Sequence, residues 1–170
     1  MADVPVVRFI PKEILVPIDF SHSSKVALDT AADLALHFHS ELVLVNIVPC
    51  FSIFALSYSI PDTALEQKMR ERAEQLLMKC CETLTASGAT SRYCIRTGNN
   101  TAENIVDLVD SEHIDLLVIS THGISGWHPL VFGAVAEKVV KLVQCPLLLL
   151  RSAKPETNET HTTVRSMEWW

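Results

Sequence analysis

The chain has 170 residues, 48% apolar and 20% charged, which suits one globular domain with a sizeable core and excludes a disordered chain. Twenty acidic against fourteen basic residues leave a net charge of -6, which offers no broad field to a polyanion and excludes nucleic acid as a general partner. No stretch reaches the ~18 uninterrupted apolar residues of a membrane span, and residues 1–11 lack the apolar centre and small-residue cleavage site of a secretion signal.

The first apolar run, Ile14 to Ile18, reads as a strand that ends at Asp19. Ser21, Ser23 and Ser24 follow, and any of them can cap the next helix. That helix carries Ala27, Ala31, Leu34, Ala35 and Phe38 on one stripe, with Lys25, Asp29 and Asp33 off it. Leu42 to Val48 is nearly all apolar and rich in β-branched residues, as in a strand covered on both faces. The connection Phe51 to Ile60 is unusually apolar, and a covering role over the core is favoured over a sticky flap.

A long helix is predicted from Asp62 to about Ser87, with Leu65, Met69, Ala73, Leu76, Leu77, Cys80 and Leu84 on its inner stripe and Gly88 as its stop. A third strand follows at Arg92 to Arg96. After the turn Gly98-Asn99-Asn100, Thr101 is the expected cap of a short helix bearing Ala102, Ile105 and Val109. Ile114 to Ser120 forms the fourth strand, Gly133 to Val143 the last helix and Pro146 to Arg151 the last strand. Strands alternating with helices require crossover connections, so the fold class is α/β, an open five-stranded parallel sheet sandwiched by helices. Residues 1–151 make the domain. Residues 152–170 are polar and aperiodic and read as a mobile tail, with Trp169-Trp170 at its end.

Cys50, Cys80, Cys81, Cys94 and Cys145 show no zinc spacing and read as reduced thiols of a cytoplasmic protein. Adjacent Cys80 and Cys81 are expected to be helix thiols with at least one buried, a vicinal redox pair being the alternative. His37 and His39 are two apart on a helix and cannot chelate a metal together. No catalytic constellation is evident. His122 and His128 lack a carboxylate neighbour in sequence, and Glu137 and Lys138 read as a solvated face. Trp127 either packs over the site or shields the turn.

Ligands of open parallel sheets bind beyond the carboxyl ends of the strands, where strand order reverses. Asp19, the stretch Asn46 to Val48 and the segment Ser120 to Gly126 fall at such ends, and Gly133 opens a helix. Glycines and a helix N-terminus together suit a phosphate, although the spacing matches neither the P-loop nor GxGxxG and also suits a tight turn.

Ile14-Leu15-Val16-Pro17-Ile18-Asp19-Phe20-Ser21 resembles the opening strand of the universal stress proteins. Asp115 to Gly123, Gly133 to Val139, and Cys145 to Arg151 are similar to their fourth strand and glycine loop, last helix and closing strand. The resemblance spans residues 12–151. It implies a Rossmann-like fold of the adenine-nucleotide alpha-hydrolase-like type and binding of ATP or AMP, with magnesium as an optional companion.

In the nucleotide-binding branch the loop reads Gly, two residues, Gly, nine residues, Gly, then Ser or Thr. The same frame here gives Ser120, Gly123, Gly133 and Ala134. The resemblance thus assigns backbone contacts with phosphate to Gly123 and Gly133. Ser120, His122, Ala134 and Val135 lie beside them. Asp19 would meet base or ribose, Ile47 would line the adenine slot and Pro17 would shape that end of the strand. Asp19 has an independent reading as a helix cap. Ala134 lacks the hydroxyl of the pattern, which weakens phosphate binding. The resemblance also implies a homodimer paired through residues 146–151. A stress-response dimer that binds no nucleotide is the alternative, and slow ATP hydrolysis is the most an enzymatic reading allows.

Overall fold

In a computed structural model, residues 9–50, 63–121 and 133–151 are described. The segment Phe51–Ile60, the loop residues His122, Gly123, Trp127 and His128, and the 152–170 tail lie outside the described residues.

Nine elements alternate along the chain: β1 (Glu13–Pro17), α1 (His22–Phe38), β2 (Glu41–Val48), α2 (Thr63–Ala86), β3 (Thr90–Thr97), α3 (Thr101–Ser111), β4 (Leu116–Ser120), α4 (Ala134–Leu142) and β5 (Leu147–Leu150). All strand pairs are parallel, in the order β3-β2-β1-β4-β5. The chain steps one way from β1 through β3, then crosses back to place β4 on the other side of β1. The α/β fold read from the sequence is the fold observed.

Successive strand residues point to opposite faces, and both faces are covered. Ile14, Val16, Leu42, Leu44 and Val118 pack with Ala27, Ala31, Leu76, Leu77 and Leu84 of α1 and α2. Leu15, Val43, Val45, Leu117 and Ile119 pack on the other side with Ile105, Leu108 and Val139 of α3 and α4. This double cover explains why the central strands read as continuous apolar runs.

Two expectations need correction. Leu65 and Met69 were assigned to the buried stripe of α2 but are 42% and 36% exposed. A 24-residue helix is about 36 Å long. The eight-residue strands beside it span only about 26 Å, so its first turns overhang the sheet. Thr101 was expected to cap α3, but Asn100 does so, its side chain accepting from the Glu103 amide at 3.4 Å. Thr101 becomes the first helical residue instead.

Candidate functional site

The reversal of strand order between β1 and β4 opens a cleft of about 350 Å³ at the carboxyl ends of the strands. Its floor is Pro17, Ile18 and Asp19 from the end of β1, and one side is Val45, Asn46 and Ile47 of β2. Ile119, Ser120 and Thr121 follow from β4, Ser24 comes from α1, and the opening turns of α3 and α4 close the remainder. At the α3 side the lining is apolar, with Val45, Ile47 and Ile105, a surface suited to a flat ring. At the α4 side stand Gly133, Ala134, Val135 and Ala136, beside Ser120 and Thr121.

The turn after β1 is held from within. Asp19 Oδ1 accepts from the Ser21 amide at 3.0 Å and from the Ser21 hydroxyl at 2.6 Å. Ser21 is the cap of α1, and its oxygen accepts from the Ser24 amide at 3.2 Å. Asp19 therefore does not cap the helix itself; it holds the residue that does. Phe20, between them, has φ 61, and its ring packs against the core on the α1 side. On the other side of β1 from the reversal point, the Asn46 side chain donates to the Ile18 carbonyl at 2.7 Å and ties β2 to the end of β1.

At α4 the arrangement differs from the simplest expectation. Gly133 was expected to offer its backbone to phosphate, but its amide donates to the Thr121 carbonyl at 2.8 Å. That bond clamps the start of α4 to the end of β4. Gly133 caps the helix without a side chain, so the donors facing the cleft move inward to the first-turn amides of Ala134, Val135 and Ala136. Such amides, with the positive end of the helix dipole, favour an anion.

Pro17, Asp19, Ile47, Ser120, Gly133, Ala134 and Val135 thus all border one cleft, while His122 and Gly123 lie outside the described residues. Sequence reasoning named Asn46 and Thr121 only within the segments at the strand ends, and did not name Thr101, Ser24 or Ile105 as site residues. Asn46 had a signal, being the one polar residue within the apolar run Leu42 to Val48. Thr101 had a weaker one, since it follows the carboxyl end of β3.

The thiols stand apart from this cleft. Burial, with the charge of Cys81 second, pushes the Cys80 thiol up to about 11. Burial raises Cys81, Cys94 and Cys145 as well. Cys80 is buried and Cys81 half-buried, as expected of helix thiols with at least one in the core. Among the described residues, no group of three or more His, Cys, Asp or Glu could hold a metal ion, and no helix is long and apolar enough to cross a membrane.

An open parallel sheet with a crevice at its reversal point defines an α/β protein of the doubly wound class. The particular family follows from comparison. The model of the universal stress protein family matches residues 11–151, and the chain belongs to that family. A putative universal stress protein of Staphylococcus haemolyticus is 29% identical over 142 residues, covering 83% of this chain and 85% of that one. The solved structure of the universal stress protein UspA from Lactobacillus plantarum superposes with TM-score 0.72 at 21% identity, covering 85% of this chain and 99% of that one. Two further family folds were solved with nucleotide. One, from Archaeoglobus fulgidus, holds dAMP (TM-score 0.58, 20% identity, covering 82% of this chain and 98% of that one). The other, from Arabidopsis thaliana, holds AMP (TM-score 0.58, 18% identity, covering 87% and 96%).

Proposed function

We propose that this universal stress protein is an adenine-nucleotide-binding regulatory protein that acts as a cytoplasmic homodimer. One observation carries the reading: an apolar slot, the Asp19 turn and the uncapped first turn of α4 open onto the same cleft. A base fits the Val45, Ile47 and Ile105 end, with Asp19 beside the ribose and the phosphate against the amides of Ala134 to Ala136. The dAMP and AMP found in two family folds support the choice of adenine nucleotide. Pairing through β5 is supported by its place at the sheet edge, where all four leucines are only half-buried in the single chain.

The reading is tested by mass analysis of small molecules released on denaturing the purified protein, followed by calorimetric titration of stripped protein with AMP. Saturable one-to-one binding is expected, weakened by Asp19→Ala. No binding by the folded protein overturns the proposal in favour of a dimer acting through protein partners alone. The Ser120 and Ala134 departures from the family loop would then be the cause.

A further inference from the structure

We infer that Asn46 is a positioning residue of this cleft: its side chain takes the Ile18 carbonyl, ends the β1–β2 ladder there, and leaves the main-chain N–H and C=O of Ile47 turned toward the ligand. The ligand's part in this rests on the nucleotide-binding reading above; the strand geometry does not.

β2 outruns β1. Pro17 and Val45 are the last pair of their ladder, and Asn46, Ile47 and Val48 continue past it. Along a strand, the main-chain groups of successive residues turn to opposite neighbours. The Val45 carbonyl turns to β1, where it accepts from the Ile18 amide at 2.7 Å. The Val48 carbonyl turns the other way, toward the end of β3, and accepts from the Gly98 amide at 3.0 Å. Ile47 is in phase with Val45 and out of phase with Val48, so its N–H and C=O face the β1 side, beyond the point where β1 stops.

The next rung of a parallel ladder would run from the Ile47 amide to the Ile18 carbonyl. Among the described residues, no backbone group bonds that carbonyl, and none reaches the Ile47 main chain from the β1 side. Asn46 Nδ2 fills the carbonyl instead, at 2.7 Å. That partner also fixes which way the carboxamide points, since a carbonyl only accepts. An apolar residue at this position would leave a part-buried carbonyl to draw the nearest donor, the Ile47 amide. The single polar residue of the run Leu42 to Val48 thus has a task that no apolar residue could carry out. The freed N–H and C=O stand beside the side chains of Val45, Ile47 and Ile105. One wall of the slot therefore offers an apolar surface and, next to it, a donor and an acceptor for the edge of a ring.

Two measurements test this on the full chain. In amide hydrogen exchange followed by NMR without nucleotide, Ile47 should exchange at least about tenfold faster than Val43 and Val45. Asn46→Ala should slow Ile47 toward them, and Asn46→Leu, close to asparagine in volume, gives the same reading if the alanine variant fails to fold. An Ile47 amide already protected in the wild type, or unchanged by the substitutions, overturns the inference whether or not nucleotide binds. The second measurement is calorimetry with AMP and with purine riboside 5′-monophosphate, which lacks the exocyclic amine. Wild type should prefer AMP severalfold, and the Asn46 variant should bring the two ligands to near parity. A merely structural loss would weaken both ligands alike and keep the preference, and that result overturns the positioning role. Failure of both ligands to bind folded wild type refutes the nucleotide reading and with it the ligand's part here, while hydrogen exchange still decides what Asn46 does to the strands.

Discussion

Replacing Ala134 with serine restores a hydroxyl at the first residue of α4, and its effect can be worked from the structure. Ala134 is exposed and lies on the cleft, so the added oxygen displaces no packing. A hydrogen bond to a charged phosphate contributes about 1.5–3 kcal/mol. Ordering the serine side chain and giving up its hydration offset part of this, leaving about 1–2 kcal/mol. The expected result is AMP affinity raised about tenfold. Calorimetry of wild type and Ala134→Ser gives the number, and Ala134→Val, which adds bulk without a donor, should not tighten binding. Because the first helical position tolerates either residue, thermal unfolding without ligand should move by no more than a degree or two. A correctly folded Ala134→Ser protein with unchanged AMP affinity would refute the reasoning, because the phosphate could not then lie at the first turn of α4.

Two other outcomes are open to measurement. Leu148→Lys places a charge on β5 and should convert a dimer to monomer in light scattering; a folded variant that keeps the dimer mass counts against pairing through this edge. Burial lifts the Cys80 thiol from its ordinary 9.0 to about 11, so the folded state holds that proton more tightly than the unfolded chain. Its contribution is complete below pH 9 and disappears as pH rises through about 11. Urea midpoints measured across that range should fall more steeply for wild type than for Cys80→Ala, and parallel curves would show that Cys80 does not titrate as its surroundings imply.

Much of the fold was legible because double burial writes itself into composition. Leu42 to Val48 has a single polar residue, and that run is an interior strand next to the central β1, with helices on both sides. Glycine at position 88, with φ 91, ended α2 where the sequence said it would. What escaped was interaction between residues far apart in the chain. Nothing local distinguishes Asn100 from Thr101 as a cap, since both side chains can accept from an amide two or three residues on. Nothing in Gly133 announces that its amide is taken by Thr121, because that bond depends on how β4 and α4 meet. The inner stripe of α2 was misjudged at Leu65 and Met69 because periodicity reports which side faces inward, not where the sheet stops.

The two ends of the sheet show why a ligand belongs at one of them. At the amino ends of the strands, polar groups find partners within the protein. Asp115 Oδ2 accepts from the amides of Lys12 and Glu13 at 2.8 and 3.0 Å. Arg92 pairs with Glu13 at 3.1 Å, Glu112 at 3.2 Å and Glu41 at 3.7 Å. Burial opposes its charge, but Glu13, then Glu112 and Glu41, outweigh that and raise its pKa further. At the carboxyl ends, parallel topology gathers the amino ends of α1, α3 and α4, and Ser21 and Asn100 cap the first two with their side chains. α4 begins at a glycine that has none to give. The two ends should therefore respond independently. Arg92→Ala removes a half-exposed network worth about 1 kcal/mol or less and should leave AMP affinity unchanged. A large loss of AMP binding in a folded Arg92→Ala protein would mean that the sheet transmits strain between its ends, and the cleft could no longer be treated as a site built by its own residues.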